Sequence, residues 1–279
     1  MCKVCFWGFR SWRGNPRIIA AIAVCILAAL FHTVEMGRFA AQTGEDLQVL
    51  EPYIFNTSDH AMATLSFLGV ILLLADAPFT EQSATYALIR IGRRAWVGGK
   101  LLYMLLACVI YALVGMAAAG LWAAPRAFAG NIWSFPFYQI SFYGTPTMAF
   151  ENTAILKSLS PVGAALLAML LTVLYHFTAG LFLFLLNLTG SRVVGFAFVG
   201  AWHCLGYLWA PLKVGVLFGF PHSLLKTHSF SAFWREGNML GIGESVLMFL
   251  LMILTLMICI FHSVRRTDLK ITVGETDNE

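Results

Sequence analysis

The chain has 279 residues, of which 59% are hydrophobic and only 11% are charged. Soluble domains are typically about a quarter charged, so this composition excludes an ordinary soluble protein. The net charge of +4 is no sign of nucleic-acid binding, because in a membrane protein the placement of basic residues matters more than their sum. Several apolar stretches reach the roughly 20 residues that a helix needs to cross about 30 Å of hydrocarbon. The sequence therefore predicts an all-α, polytopic membrane protein.

Six apolar stretches are candidates for membrane-spanning helices. They predict one transmembrane domain over residues 1–263, followed by a polar cytosolic tail at 264–279. The first stretch follows basic residues, as the apolar core of a signal peptide does, but no small-x-small cleavage site follows it, so we expect an uncleaved helix. The six predicted spans lie at about 17–34, 60–78, 100–123, 161–188, 193–212 and 245–263.

Basic residues are distributed unevenly between the two sides of this arrangement. With the N-terminus inside, the cytosolic segments carry 12 Lys and Arg residues and the external segments carry 6. An excess of basic residues marks the cytosolic side, so both termini are predicted to be cytosolic. Two external loops are rich in apolar and aromatic residues. We expect 131–144 to lie on the outer leaflet, and 214–234 to dip into the membrane where protein shields its backbone.

The segment ADAPFTEQSATYALIRIGRRAWVGGK, residues 75–100, interrupts the apolar sequence between the second and third spans. Thr80 can cap the start of a helix, and Glu81 suits the positive end of the helix dipole. Gly92 is placed to end the helix in a left-handed conformation. The segment therefore predicts a short amphipathic helix on the cytosolic side.

One face of this predicted helix combines an apolar anchor with flanking charges. Its residues are Tyr86, Ile89, Arg90 and Arg93. Such a face is typical of a helix that inserts into the groove of a partner protein. The alternative is a solvated connector whose basic residues fix the topology and contact anionic lipid.

Six spans, cytosolic termini and a capped helix between the second and third spans resemble the permease subunits of type-2 ATP-binding-cassette exporters. The pattern DAPF…Y-x-L-I-R-x-G-R-R-x-W, from Asp76 to Trp96, is similar to one in poorly characterised bacterial members. In that family the loop is a coupling helix that seats in a separate ATPase subunit. The resemblance implies docking through 76–100, a second permease copy or paralogue, and a place in the plasma membrane of a bacterium. The docking residues that it implies are Thr80, Glu81, Tyr86, Ile89, Arg90, Arg93 and Arg94.

The sequence departs from that family in two places. The loop after the fifth span lacks a clean pair of re-entrant helices, and the N-terminal interfacial helix would have to be the short MCKVCFWGFRSWRGNPR. No G-x-x-x-x-G-K-[ST] phosphate loop occurs in the sequence. We therefore expect no cofactor in this chain and expect the partner subunit to hydrolyse the ATP.

His176 and His203 lie deep in the fourth and fifth predicted spans. The turn between these spans is short, so we expect the helices to be neighbours and both histidines to sit roughly 15–18 Å from the cytosolic end. They either face each other or share a polar partner such as Tyr175, Thr178 or Tyr207. Ionisable groups in the membrane are candidates for function. The alternative is a pair of neutral histidines that hydrogen-bond between helices.

Other chemistry finds little support. His222 and His228 are only two ligands, which make a poor metal site, so none is predicted. The sequence contains no G-x-S-x-G, no H-E-x-x-H and no pair of intramembrane carboxylates, so we expect no enzyme. The leading hypothesis is an exporter permease subunit. The alternative is a self-contained transporter or channel, or a membrane assembly factor, without an ATPase partner.

Overall fold

The computed structural model describes residues 2–78, 91–145, 147–150, 152–209, 219–229 and 240–266. It is mostly helical, as predicted. The helices are α1 (Cys2–Arg10), α2 (Pro16–Thr43), α3 (Glu51–Ser58), α4 (His60–Leu73), α5 (Arg93–Ala123), α6 (Phe135–Tyr143), α7 (Ala154–Ser158), α8 (Pro161–Thr189), α9 (Arg192–Trp209), α10 (Gly219–Ser223) and α11 (Ile242–Arg266).

Short irregular elements complete the described chain. Single 3-10 turns cover Ala124–Arg126 and Leu225–Thr227. The two-residue strands are β1 (Leu47–Gln48), β2 (Ala127–Phe128), β3 (His228–Ser229) and β4 (Leu240–Gly241). β1 pairs with β2 and β3 pairs with β4, both in parallel.

Four helices are long and apolar enough to cross a membrane, namely α2, α5 with the turn after it, α8 and α11. They contain the predicted first, third, fourth and sixth spans, but α2 continues to Thr43, well beyond the predicted end of the first span at residue 34. α4 and α9 are also apolar but have only 14 and 18 residues. A helix of 14 residues is about 21 Å long, less than the roughly 30 Å of hydrocarbon. The structure thus supports a membrane protein with four candidate spans, and the second and fifth spans stay predictions.

Local sequence explains where the helices begin. Asn15, Asp59, Ser134 and Ser160 each accept a hydrogen bond from a backbone N–H in the first turn of the helix that follows. Proline stands at one of the first two positions of α2, α6 and α8, where its missing N–H costs nothing. These caps and prolines mark the starting points of the helices in the local sequence.

One end of the bundle, which we call the Asp76 end, joins the ends of several helices. The Asp76 carboxylate accepts a hydrogen bond from Arg17 at 2.6 Å and lies 3.8 Å from Arg192. Asn187 Nδ2 donates to the Ala77 carbonyl at 2.7 Å, next to Asp76. The starts of α2 and α9 therefore meet the ends of α4 and α8 here, so successive helices run in alternating directions.

The opposite end of the bundle is held by contacts between the connecting segments. Trp133 Nε1 donates to the Leu159 carbonyl at 2.8 Å, which ties the α5–α6 connection to the start of α8. Asn152 donates to the carbonyl of His228 at 2.7 Å. These hydrogen bonds hold the connecting segments together at the end of the bundle where α6, the predicted outer-leaflet helix, lies.

The N-terminal helix α1 packs against α5. Gly8 lies so close to Tyr103 that a Cβ there would be 2.5 Å from the ring, and Trp12 Nε1 donates to the Tyr103 hydroxyl at 2.9 Å. Val4 is buried in this contact, while Phe6 and Trp7 are exposed. α1 therefore presents large apolar side chains to its surroundings, as a helix at a membrane surface does.

The alternating helix directions predict that the two ends face opposite sides of the membrane. In a chain with Cys2→Ser and Cys5→Ser, we expect Arg13→Cys and Glu45→Cys to react with a membrane-impermeant thiol reagent from opposite sides. Both side chains are exposed, one near each end. Labelling of both cysteines from the same side of sealed vesicles would contradict this arrangement.

Candidate functional site: a polar cavity between the membrane helices

A small cavity of about 40 Å³ lies among α2, α3, α4, α5 and α8. Cys25 on its wall is about 14 Å along α2 from Pro16, and Thr172 is about 17 Å along α8 from Pro161, by the helix rise. The cavity is therefore near mid-depth in the bundle. Its polar lining consists of Tyr53, Asn56, Thr57, Ser66, Thr172, Tyr175, His176 and Ser223.

Two buried polar atoms at this cavity have no hydrogen-bond partner in the described protein. They are the Tyr53 hydroxyl and His176 Nδ1, on side chains that are 4% and 2% exposed. Leaving such a group unsatisfied costs about 1–3 kcal/mol. A volume of about 40 Å³ has room for about two or three water molecules. Since its lining is uncharged, the cavity suits water or another small, neutral, hydrogen-bonding molecule.

Asn56 positions the α3 wall of the cavity. Its Nδ2 donates to the carbonyls of Ala29 and Pro52, both at 2.8 Å, and lies 3.1 Å from Thr33 Oγ1. Its Oδ1 accepts from the His32 N–H at 3.3 Å. A short polar segment is thereby fastened to a long apolar helix, with Tyr53 on the same element.

His203 lies next to the cavity in a network of its own. Its Nδ1 is 2.6 Å from the Tyr175 hydroxyl and its Nε2 is 3.1 Å from Thr64 Oγ1. Phe67 stacks on the imidazole, with 4.0 Å between ring centroids. His203 therefore shares Tyr175, one of the partners considered from the sequence, and joins α9 to both α8 and α4.

His176 is placed differently from His203. It lines the cavity, and its ring meets the edge of Tyr111 at 6.0 Å between centroids. The other two partners considered from the sequence, Thr178 and Tyr207, have other contacts. Thr178 donates to the Leu174 carbonyl, and the ring of Tyr207 contacts that of His60. The two histidines are thus neighbours linked through consecutive residues of α8, and His176 is the one exposed to the cavity.

The segment expected to dip into the membrane is buried where the structure describes it. In 219–229, Phe220, His222, Leu224 and His228 are at most 3% exposed. The remainder of the predicted stretch, 214–218 and 230–234, lies outside the described residues. This finding supports a segment shielded by protein rather than a solvated loop.

A serine joins the two histidines of this segment. His228 Nδ1 lies 2.9 Å from the Leu224 carbonyl, so that nitrogen carries the proton, and Nε2 accepts from the Ser245 hydroxyl at 2.9 Å. His222 Nδ1 then donates to Ser245 Oγ at 2.7 Å. Burial lowers the pKa of His228 to about 4, although its bond to the Leu224 carbonyl opposes the shift. The trio fastens 219–229 to α11.

Metal ligation finds no support in the residues that are described. No group of three His, Cys, Asp or Glu side chains is suitably placed to hold a metal ion there. His222 and His228 meet at a serine hydroxyl instead.

Glu51 is a buried carboxylate near the α6 end of the bundle. It accepts hydrogen bonds from the Ser134 N–H at 2.6 Å, the Ser134 hydroxyl at 2.5 Å and the Gln48 N–H at 3.0 Å. Burial raises its pKa to about 7, because the loss of water outweighs the three bonds that favour the charged form. Ser134 also caps α6, so the charge of Glu51 is linked to the anchoring of that helix.

A second acidic group lies beside His32. Burial alone would raise the pKa of Asp59, but hydrogen bonding and attraction from His32, together with the Met62 N–H, lower it to about 2. His32 lies 3.6 Å from Asp59 on one side and 3.6 Å from Glu35 on the other. Asp59 therefore stays charged at physiological pH, at the point where it caps α4.

Most of the predicted docking residues lie outside the described part of the chain. These are Thr80, Glu81, Tyr86, Ile89 and Arg90. Arg93 and Arg94 begin α5 and are exposed, and Arg93 donates to the Val264 carbonyl at 3.4 Å. Gly92 has φ 84° and ψ 150°, a conformation that favours glycine, although its ψ differs from that of a left-handed helical residue. The coupling helix and its docking role stay predictions.

Sequence reasoning missed α3, and with it Tyr53, Asn56 and Glu51. The stretch 51–58 lies between the first two predicted spans, at about 17–34 and 60–78, where no helix is predicted from the sequence, whereas the structure forms α3 there and buries most of it. Its signal was present in the sequence: an amide and a tyrosine in the run EPYIFNTS, with proline at a helix-starting position.

Comparison of the chain with protein-family models, curated proteins and solved structures found no match. The site must therefore be interpreted from its own geometry.

If the cavity holds water, a thiol on its wall should react with radicals formed there. Under X-ray radiolysis we expect Cys25 to be oxidised several-fold faster than Cys108. Both thiols are buried, but only Cys25 lines the cavity. Ala28→Leu, which fills the cavity, should slow oxidation of Cys25. Equal rates at the two cysteines, read by mass spectrometry, would show that the cavity is dry.

The raised pKa of Glu51 predicts a fall in stability as the pH rises. Its folded pKa of about 7 exceeds the ordinary value of 4.5, so the folded state binds more protons between these values. Relative to Glu51→Gln, the wild type should lose roughly 3 kcal/mol of unfolding free energy at most from pH 4.5 to pH 8. Thermal unfolding of both proteins in detergent measures this, and parallel pH profiles would contradict it.

Proposed function

We propose that this chain is the transmembrane permease subunit of an ATP-driven exporter of the ATP-binding-cassette type. It couples through residues 76–100 to a separate cytosolic ATPase subunit. The observation that carries the proposal is that both flanks of residues 79–90 are fastened to several membrane helices, as a segment that transmits force requires.

The preceding flank is tied to three helices. Asp76 meets Arg17 of α2 and Arg192 of α9, and the Ala77 carbonyl accepts from Asn187 of α8. A displacement of the following residues therefore acts on α2, α8 and α9 together.

The following flank is tied to a fourth helix. Arg93, at the start of α5, donates to the Val264 carbonyl near the end of α11. Trp96 and Val97, one turn further on, are buried in the core. A displacement of Ile91 or Gly92 would therefore move α5 and α11 with little local deformation of the backbone.

The distribution of basic residues supports the predicted orientation, with the Asp76 end in the cytosol. The Asp76 end carries exposed Arg13, Arg17, Arg93, Arg94 and Arg192, and basic residues favour the cytosolic side. We therefore place this end and both termini in the cytosol, with the chain in the plasma membrane of a bacterium. The partners are the ATPase subunit, surrounding lipid and a second copy or paralogue of this permease.

The alternative is a self-contained transporter or channel, or a membrane assembly factor. The observation that favours it is the polar cavity at mid-depth, where His176 lacks a protein partner for one nitrogen. Ionisable groups at such depth commonly serve transport. In the permease, the same cavity gives the helices a hydrated region in which they can shift.

The test is gentle purification of the tagged chain from its native membrane, with mass spectrometry of what accompanies it. We expect a stoichiometric ATPase subunit with the wild type. We also expect at least tenfold less of it with Tyr86→Glu, Ile89→Glu or Arg90→Glu. The matched control is Lys157→Glu, an exposed basic residue outside the docking segment, and it should retain the ATPase.

Two results would contradict the proposal. If all three docking variants copurify with as much ATPase as the wild type does, residues 79–90 have no docking role. Reproducible absence of any ATPase from a folded, monodisperse wild-type sample would instead favour the self-contained transporter or assembly factor.

A further inference from the structure

A groove of about 320 Å³ runs between α2 and the end of α5, at the end of the bundle opposite Asp76. It is several times larger than the mid-depth cavity and lies within the usual size range of ligand pockets, about 300–1,000 Å³. Two arginines from different elements line it: Arg38 of α2, and Arg126 of the turn after α5.

The groove lies at the depth of lipid head groups. Arg38 is about 33 Å along α2 from Pro16 by the helix rise, whereas the hydrocarbon core is roughly 30 Å thick. Arg17 and Asp76 mark the other surface of the bundle. The guanidinium of Arg38 is therefore placed just beyond the hydrocarbon on the opposite surface.

Neither guanidinium is neutralised by a carboxylate in the part of the chain that the structure describes. The ion pairs found there involve Arg17, Arg192 and His32, and neither Arg38 nor Arg126 has a carboxylate within 4 Å. Glu35, one turn before Arg38, is hydrogen-bonded to the Thr147 hydroxyl. Two exposed positive charges on one groove, with no carboxylate partner among the described residues, attract an anion.

Apart from the two arginines and Thr33, the lining of the groove is apolar. Val34, Leu47 and Trp122 contribute to its walls. At Gly37 an added Cβ would meet no atom within 4 Å, so a small residue leaves space there. Trp122 is 56% exposed and its neighbour Leu121 is 76% exposed. An apolar channel below a positive rim matches an amphiphile with a negative head and a hydrocarbon chain.

We propose that this groove binds one anionic phospholipid from the adjacent leaflet. Arg38 and Arg126 contact its phosphate, and an acyl chain runs past Trp122 and Val34 towards the hydrocarbon. Arginine suits the phosphate because its planar fork donates two parallel hydrogen bonds. The site is independent of the ATPase docking segment, which lies at the other end of the bundle.

The test is native mass spectrometry of the delipidated protein in detergent, titrated with phosphatidylglycerol. A basic residue near a membrane surface contributes about a fivefold gain in affinity for anionic lipid. We therefore expect Arg38→Gln/Arg126→Gln to weaken binding about thirtyfold. Gly37→Leu, which fills the groove without changing the charge, should weaken it by a similar or smaller factor.

The control carries the same net charge as the double variant. Arg13→Gln/Lys157→Gln also removes two positive charges, but neither residue lines the groove, so affinity should stay within about twofold of wild type. Millimolar inorganic phosphate should not displace the lipid, since it lacks the chain.

Three outcomes would overturn the assignment. The first is wild-type affinity in Arg38→Gln/Arg126→Gln, and the second is an equal loss in the control. The third is a shift from dimer to monomer in Arg38→Gln/Arg126→Gln while its lipid binding is unchanged. That result would mean that the groove binds a second copy of the chain.

Discussion

Hydrocarbon cannot hydrogen-bond, so every polar group that enters the bundle must be satisfied by the protein or by molecules it encloses. This constraint explains why the short elements α3 and 219–229 are fastened by side chains. Asn56 joins α3 to the backbone of α2, and Ser245 joins both histidines of the second element to α11. Non-helical backbone at depth is tolerated because these links shield it from lipid.

The same constraint makes the mid-depth cavity informative. His203 is fully used by Tyr175 and Thr64, and therefore behaves as a link between α4, α8 and α9. His176 and Tyr53 each leave a polar atom at the cavity without a protein partner. Apolar side chains could have filled this space and packed as well. Because the cavity is instead lined by polar atoms without protein partners, we infer that it encloses a polar molecule. Of the two histidines singled out in the sequence, His176 is the one with scope for a functional role.

Sequence was sufficient for the features that depend on local chemistry. Apolar length located α2, α5, α8 and α11, and the apolar stretch 214–234 predicted a segment that dips into the membrane, of which the described part, 219–229, is buried. The sequence could not show which residues hydrogen-bond to the buried polar groups. The burial of Glu51 could not be predicted, because nothing in its neighbourhood shows that Ser134, far along the chain, supplies two donors. Contacts between distant residues have no local pattern, whereas caps and apolar periods do.

The anchoring of the residues that flank 79–90 depends more on packing than on charge. The side chains of Arg17 and Arg192 are 51% and 56% exposed, so their pairs with Asp76 contribute only about 0–1 kcal/mol each. Leu74 and Ala77 are fully buried, and Leu74 lies so near Gly180 that a Cβ there would be 2.6 Å away. Close packing resists displacement over fractions of an ångström, whereas exposed ion pairs stretch and exchange with water. A force applied at 79–90 would therefore reach α8 through Leu74 and Ala77, while the arginines mainly set the sidedness of this end.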